Sequence, residues 1–248
     1  MTGGAGALSG VDGVLIDIDD TLLDNKAAIR HAIATIARAY LPSDTDIDAA
    51  AAFFRADRHG HYRAFSRGEI DSRTQRRLRA EDLHAHFGGP EFVSDDDLTA
   101  WIRAFDDAYR DGWRAHDAAA PFLAALAAAG LPYGVLSNAR RAQQVQKMGK
   151  VGFGDVPLLV CVDDHGYGKP DPRVFLEACR LLDTSPEETV YVGDEFDIDA
   201  AAAVRAGLIG VWCDRPGAWV ERSDDEVAAA GAIRVESLAG LSTLLGLR

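Results

Sequence analysis

The chain has 248 residues, with 39 acidic against 26 basic side chains and a formal net charge of −13. This length is enough for one or two domains with full hydrophobic cores, and 48% hydrophobic residues are typical of a globular protein. The acidic balance argues against binding to nucleic acid or to an anionic membrane, because both depend on clustered cations. The composition therefore predicts a folded protein with neither of these as its main partner.

Cysteine usage and the absence of long apolar stretches indicate the compartment. Cys161, Cys179 and Cys213 are odd in number, far apart and form no Cys-x-x-Cys pair, so neither a disulfide framework nor a zinc site is expected. Residues 1–10 have no cationic start and no apolar run, which argues against a signal peptide. No charge-free apolar stretch reaches about 18 residues, the length of a membrane span. We therefore expect a cytoplasmic protein.

Five short apolar runs, in chain order, predict buried parallel strands, and they lie at residues 13–17, 133–137, 158–162, 189–193 and 209–213. Helical patterns separate the later runs. One begins near Pro121 and ends before Gly130, a second has the cap-and-proline pair Asp171-Pro172, and a third ends at Gly207. This alternation predicts an α/β fold in which helices cover both faces of a parallel sheet.

The segment between the first and second runs has a different pattern. It contains no strand-like run, and its clearest feature is a helical stripe at Leu98, Trp101, Ile102, Phe105 and Tyr109. We interpret it as an all-helical insert with this stripe in its core. The predicted domains are therefore a sheet-containing core of residues 1–23 and 116–248 and an inserted domain of residues 24–115.

Histidine pairs and arginines stand out within the insert. The pairs are His59/His61 and His84/His86, and because i and i+2 point to different faces of a helix we expect solvated side chains. Eight arginines against three acids lie between residues 55 and 79. They form either a charged helix face or a site in which one or two of them hold the anionic remainder of a substrate. The candidates for the second interpretation are Arg55, Arg58, Arg63 and Arg67.

Polar residues follow the predicted strands where each strand ends. Asp17 and Asp19 follow the first, Ser137 ends the second, Lys169 lies beyond the third, and Asp194 follows the fourth. Ligands of open parallel sheets bind at the carboxyl ends of the strands. We therefore expect these side chains to converge at one edge of the sheet.

Converging carboxylates favour a hard cation. Asp17, Asp19 and Asp194 would repel one another unless a cation lay between them, and an all-oxygen ligand set favours Mg²⁺. Ser137 and Lys169 are suitable partners for the oxygens of a phosphate bound to that cation. Asp17 is then a candidate nucleophile that forms an aspartyl-phosphate, and Asp19 a candidate general acid and base.

Four ordered motifs carry a resemblance to a known family. They are Asp-Ile-Asp-Asp-Thr-Leu at 17–22, Leu-Ser-Asn at 136–138, Gly-Lys-Pro at 168–170, and Gly-Asp at 193–194 followed by Asp199 and by Ala-Gly at 206–207. Together they resemble the haloacid dehalogenase-like (HAD) superfamily, and the insert lies where the C1-type cap of that superfamily lies. The resemblance implies a Rossmann-like doubly wound sheet of order 5-4-1-2-3. It also implies phosphoryl transfer on Mg²⁺ through an aspartyl-phosphate.

The resemblance assigns roles to individual residues. Asp17 would be the nucleophile and a ligand of the metal. Asp19 would be the general acid and base, and its backbone carbonyl would bind the metal. Asp194 would be a further ligand of the metal. Thr21 would orient the loop, and Ser137 and Asn138 would bind phosphate. Lys169 would position the nucleophile and the phosphate, and Asp199 would hold Lys169 or a metal-bound water.

Some positions depart from the family pattern. Asp20 stands where glycine is common, Glu195 where serine is common, and Ile198 where asparagine is frequent. Glu195 and Asp197 add negative charge near the expected metal. They either alter the preference for the metal or lie in solvent.

The favoured function is a Mg²⁺-dependent phosphatase that acts on a small phosphorylated metabolite. A 2-haloacid dehalogenase would also use Asp17 as nucleophile but would not need Asp19 as an acid. A sugar-phosphate mutase would keep all four motifs. A catalytically inactive binding or sensor module is the alternative of another class, and the complete set of Asp17, Asp19, Lys169 and Asp194 argues against it.

Overall fold

The computed structural model describes residues 8–215 and 222–247. The chain divides into two compact units, one made of the chain up to Asp24 and from Ala115 onward, the other of Asn25–Arg114. We call them the core unit and the helical insert. Each boundary lies one residue inside the insert suggested by the sequence. Among the described residues, no helix is both long and apolar enough to cross a membrane.

The core unit is built on a parallel sheet. Its strands are β1 (Gly13–Ile16), β2 (Tyr133–Ser137), β3 (Leu159–Cys161), β4 (Thr189–Gly193), β5 (Ile209–Cys213) and β6 (Ile233–Val235). Their order is β3-β2-β1-β4-β5-β6, with every neighbouring pair parallel. This confirms the predicted α/β class, the five predicted strands and their order. The sequence pattern missed β6, because this edge strand has only three residues and an exposed arginine at its centre.

Helices occupy most of the remaining described chain. Those of the insert are α1 (Asn25–Tyr40), α2 (Ile47–Ala56), α3 (His61–Ser66), α4 (Ser72–Phe87) and α5 (Asp95–Asp111). Those of the core unit are α6 (Ala119–Ala128), α7 (Arg141–Lys150), α8 (Val162–His165), α9 (Pro172–Leu182), α10 (Ala200–Arg205), α11 (Asp224–Ala229) and α12 (Leu238–Leu244).

Both faces of the sheet are buried, which explains why its strands are continuous apolar runs. Successive side chains of β1 point to opposite faces. Val14 and Ile16 pack in one hydrophobic cluster with Phe122 of α6, whereas Leu15 packs in another with Phe175 of α9. All three β1 side chains are fully buried. The edge where the strands end is therefore held rigidly from both sides.

An aromatic stripe on α5 forms the core of the insert, as predicted. Trp101 and Phe105 are fully buried and stack with ring centroids 5.5 Å apart, and Tyr109 is also buried. The helix begins with a capping box in which Ser94 and Asp97 exchange hydrogen bonds, and this satisfies amide groups that have no partner within the helix. The insert therefore has a hydrophobic core of its own.

His84 does not lie in solvent, and that prediction is wrong. It is 3% exposed, its Nε2 accepts a hydrogen bond from Trp101 Nε1 (3.0 Å), and its Nδ1 lies 2.7 Å from the carbonyl of Pro90. With Nε2 as acceptor, Nδ1 carries the proton and the ring is neutral, in line with burial lowering the pKa of His84. His86 is exposed as expected and stacks on Phe53.

Candidate active site

The loop after β1 begins the site. Asp17 continues the sheet, because its N–H donates to the carbonyl of Val192 (2.9 Å). The chain then turns sharply, and the carbonyl of Ile18 accepts hydrogen bonds from the N–H groups of Leu22 (3.0 Å) and Leu23 (2.9 Å). This turn places Asp17 and the residues after it at the carboxyl end of the strand.

An arginine beyond β5 holds the same loop. The Arg215 guanidinium donates to the backbone carbonyls of Asp20 (2.5 Å) and Thr21 (2.7 Å). Thr21 is fully buried, and its hydroxyl has no hydrogen-bond partner within the described part of the chain. Thr21 therefore lies within the loop that it was expected to orient. No sequence pattern near Arg215 predicts this contact, because only the pairing of β5 in the sheet brings Arg215 to this loop.

Lys169 lies at the centre of a buried polar cluster. Its Nζ donates to Asp17 Oδ1 (2.6 Å), to Asp199 Oδ1 (2.6 Å) and to the Tyr191 hydroxyl (2.8 Å). These three bonds engage all the donors of an ammonium group. Burial alone would lower the pKa of Lys169, but the two carboxylates outweigh it and hold that pKa well above its usual value. Lys169 is therefore a permanent cation beside Asp17.

Asp199 supports Lys169 from behind. Its Oδ1 also accepts from the Tyr191 hydroxyl (2.9 Å), and its Oδ2 accepts from the N–H of Glu195 (2.9 Å). A Cβ atom on Gly193 would lie 2.3 Å from Asp199 Cγ, so glycine is required for this close approach. Both carboxylate oxygens are thus engaged in positioning Lys169 and the loop after β4.

Asn138 acts on the backbone of Lys169. Its Oδ1 accepts from the Lys169 N–H (2.7 Å), and its Nδ2 donates to the Lys169 carbonyl (2.8 Å). Both polar atoms of this side chain therefore hold the lysine loop, and the phosphate-binding role expected of Asn138 stays a prediction. A Cβ atom on Gly168 would lie 2.4 Å from Asn138 Oδ1, which explains the glycine before Lys169.

A second lysine holds Asp19. Lys147 Nζ lies 2.5 Å from Asp19 Oδ1, and Gln144 Nε2 donates to Asp19 Oδ2 (2.8 Å) and to Ser137 Oγ (2.9 Å). Ser137 Oγ also accepts from the N–H of Ala139 (3.1 Å). Gln144 and Lys147 are buried and lie three positions apart on α7, so they share one face of that helix. The spacing of these two polar residues, three positions apart after the second strand, is the signal in the sequence that points to them.

The carboxylates fall into two groups. Oxygens of Asp17, Asp194 and Asp199 all lie within 4.8 Å of one another, whereas the Asp19 side chain lies against Lys147 instead. Burial is the main cause that raises the pKa of Asp17 to about 7, and Lys169 opposes that rise. Burial, followed by the charge of Asp17, raises the pKa of Asp194 well above its usual value. The structure thus brings Asp17 and Asp194 together as predicted, and it holds the carboxylate of Asp19 against Lys147.

This donor set fits a hard divalent cation. It consists of carboxylate oxygens without histidine or cysteine, which suits Mg²⁺. Buried carboxylates with raised pKa values are held in a charged state most readily by a cation between them. Asp17 and Asp194 are the side chains available to such an ion, because both oxygens of Asp199 already accept hydrogen bonds.

The two additional acids beyond β4 lie at the surface. Glu195 and Asp197 are exposed, and Asp197 Oδ2 forms an ion pair with Arg222 (2.8 Å). Of the two open interpretations, the structure therefore favours solvated loop residues.

A parallel sheet with carboxylates and a buried lysine at its carboxyl edge defines the class of this protein. It is an α/β protein with a polar site for a small ligand at the ends of its strands. A family model described as haloacid dehalogenase-like hydrolase matches residues 11–207. The chain belongs to that family of hydrolases, as the four motifs suggested.

Curated relatives are similar to this chain in sequence, and solved structures are similar to it in fold. A glyceraldehyde 3-phosphate phosphatase of Methanopyrus kandleri is 35% identical over 43% of this chain and 47% of its own length. A phosphoserine phosphatase of Thermus thermophilus is 37% identical over 38% of each chain. The chain thus matches half or less of the length of these relatives. A crystal structure of a dehalogenase superposes with a TM-score of 0.75 at 21% identity, over 97% of this chain and 99% of that one, which shows the fold alone.

Proposed function

We propose that this protein is a Mg²⁺-dependent phosphatase that hydrolyses a small phosphomonoester through an aspartyl-phosphate on Asp17. The observation that carries the proposal is that Asp17 and Asp19 are held by two different lysines, Lys169 and Lys147. Two carboxylates in separate environments can take separate roles, one as nucleophile and one as acid and base. The phosphatase names of the curated relatives support the same reaction class.

In the first step, an oxygen of Asp17 attacks phosphorus while the bond from phosphorus to the leaving oxygen breaks. Asp19 donates a proton to that leaving oxygen, so the alcohol departs neutral. Lys169 orients Asp17 through their 2.6 Å contact and supplies positive charge beside the phosphoryl oxygens. Asp17, Asp194 and the backbone carbonyl of Asp19 would hold a Mg²⁺ ion, which would supply further positive charge at those oxygens when bound.

In the second step, Asp19 accepts a proton from water as that water attacks phosphorus and the bond to Asp17 breaks. Phosphate leaves, and Asp17 returns to its carboxylate form. Ser137 lies at the end of β2, and its Oγ accepts a hydrogen bond from Gln144 Nε2 (2.9 Å). The Ser137 hydroxyl contributes a hydrogen bond to a phosphate oxygen. Asn138 contributes by holding the backbone of Lys169, and Asp199 by holding its ammonium group.

The alternatives make different demands on the site. A dehalogenase needs Asp17 but has no use for a proton donor on Asp19. A mutase would return the phosphoryl group to a sugar and release little inorganic phosphate. A colorimetric phosphate assay over phosphorylated sugars, phosphorylated amino acids and small phosphorylated acids separates the three enzymes. An inactive binding module would turn over none of these compounds.

Metal dependence provides the direct test of the proposed function. We expect the protein to hydrolyse p-nitrophenyl phosphate with Mg²⁺, to lose this activity in EDTA, and to regain it when Mg²⁺ is added back. Calcium should inhibit, because its larger and looser ligand shell misplaces the nucleophile. Undiminished turnover in an excess of chelator would contradict the assignment of the metal.

The dependence on the leaving group tests the role of Asp19. Asn at position 19 cannot donate a proton, so we expect D19N to lose about 10²–10⁴-fold in kcat for an alkyl phosphate. The loss should be smaller for p-nitrophenyl phosphate, whose leaving group needs little protonation. D197N changes an exposed carboxylate near the same edge of the sheet and serves as the matched control. Equal losses on the two substrates would remove the general-acid role.

A further inference from the structure

The helical insert contains a cluster of two histidines and an aspartate. His59 Nδ1 lies 2.7 Å and His61 Nε2 lies 3.1 Å from the same atom, Asp82 Oδ2. The two rings therefore do not point to different faces, although His59 is exposed as expected. His59 precedes α3 and only His61 lies within it, so the rule for i and i+2 on a helix does not apply.

A tight turn between α2 and α3 brings the two rings together. Asp57 has a left-handed backbone (φ 43°), and so does Gly60 (φ 71°), which lies between the histidines. The Asp57 carboxylate accepts from the N–H groups of Tyr62 (3.0 Å) and Arg63 (3.2 Å), which fixes the turn against the first residues of α3. Both imidazoles are thereby presented to Asp82 on α4. The arrangement is therefore built into the backbone of the turn.

We propose that His59, His61 and Asp82 form a binding site for a transition-metal ion of the Zn²⁺ class. Two ligands bound tetrahedrally at about 2.0–2.1 Å from Zn²⁺ are roughly 3.3 Å apart. The candidate atoms of the three residues all lie within 4.8 Å of one another, so small side-chain rotations bring them to that spacing. The His59 side chain is 62% exposed and that of Asp82 29%, which leaves room for a water as fourth ligand.

The donor types distinguish this site from the carboxylate cluster of the core unit. Imidazole nitrogen favours Zn²⁺, Co²⁺ and Ni²⁺, whereas Mg²⁺ prefers oxygen ligands and retains its water. Two imidazoles and one carboxylate therefore select against Mg²⁺, and an excess of Mg²⁺ leaves the site available. The two sites should thus be separable by the choice of metal.

A metal ion there would order the segment around α3. This helix has six residues, and none of them is buried, so packing alone contributes little to its stability. The ion joins the turn before α3 to α4, which is anchored in the insert by its buried residues Leu83 and His84. Zn²⁺ would therefore stabilise the stretch that carries Arg63 and Arg67, two of the arginines considered for binding substrate.

Calorimetric titration of the full chain with Zn²⁺ in excess Mg²⁺ tests the proposal. We expect one saturable Zn²⁺ site per chain that D17N leaves unchanged. H59A, H61A and D82N should each weaken Zn²⁺ binding by at least about 10- to 100-fold, since even the loss of a residue that only supports a ligand has that effect. H31A removes an exposed histidine of α1 and serves as the matched control. Co²⁺ should give a visible absorption band in the wild type that is lost in H59A.

Thermal unfolding supplies a second measurement. Zn²⁺ should raise the melting temperature of the wild type and of H31A, and should leave that of H59A unchanged. Because His59 is mostly exposed, its replacement does not disturb the fold, so H59A remains a valid test even if H61A unfolds. Wild-type affinity for Zn²⁺ in H59A and D82N would overturn the proposal, as would the absence of saturable binding in excess Mg²⁺. The three residues would then form only a hydrogen-bonded cluster.

Discussion

D17N should lose at least about 10³-fold in kcat on every phosphomonoester while the free energy of unfolding stays the same or rises. An amide is too poor a nucleophile to form the aspartyl-phosphate, so activity falls regardless of the leaving group. Stability does not fall, because Asp17 and Asp199 share one buried lysine, and Asp194 lies within 4.8 Å of both. Replacing Asp17 removes repulsion and still leaves Lys169 paired with Asp199.

Two measurements check this result. Steady-state kinetics with p-nitrophenyl phosphate and an alkyl phosphate give the loss of activity, and urea unfolding gives the change in stability. The matched control D197N should alter neither, since Asp197 is exposed and paired with Arg222. A variant D17N that retained a tenth of the activity would exclude Asp17 as the nucleophile. A variant that unfolded would contradict the electrostatic argument.

K169M should lose both activity and stability. Removing this lysine leaves the clustered carboxylates without their cation. Two charges no more than 4.8 Å apart repel by at least about 3.5 kcal/mol at an effective dielectric constant of 20. Breaking a buried ion pair by removing one partner costs about 3–5 kcal/mol, and we expect a loss in that range in the absence of Mg²⁺. Mg²⁺ should restore part of the stability, because it supplies the missing positive charge.

A double-mutant cycle identifies the cause. D199N removes one of the carboxylates that Lys169 neutralises, so it should cost less in the K169M background than in the wild type. Urea unfolding of the four proteins in chelator measures the coupling. Additive losses would show that K169M acts through lost packing instead of unbalanced charge. K147M is a useful comparison, because Lys147 pairs with Asp19, which lies outside the cluster of Asp17, Asp194 and Asp199.

The two lysines give the site its asymmetry. Lys169 is surrounded by Asp17, Asp199 and Tyr191, and it holds the proposed nucleophile in one position. Lys147 lies on α7, behind Asp19, and holds the proposed acid and base. Neighbouring carboxylates of similar intrinsic acidity thereby reside in different surroundings, as a reaction that needs both a nucleophile and a proton donor requires.

The amino-acid sequence by itself determined the α/β class, five of the strands and the edge at which the site lies, whereas the order of those strands came from the resemblance to the HAD superfamily. This was possible because strands buried on both faces must be continuous apolar runs, and because parallel strands end at one edge. Asp17 and Asp194 directly follow such runs, so their proximity followed from the pattern alone. The helical nature of the insert followed equally from the spacing of its aromatic residues.

Only the tertiary structure decided which side chains each of these residues contacts. Arg215, Gln144 and Lys147 come to the loop after β1 from distant parts of the chain, and no local pattern shows that this loop is their partner. The hydrogen bonds from Asn138 to Lys169 and from His59 to Asp82 depend on the relative positions of segments that are far apart in the chain. Local spacing specifies the period of an element and the face that it buries. The partner of a buried charge is set by the packing of elements far apart in the chain.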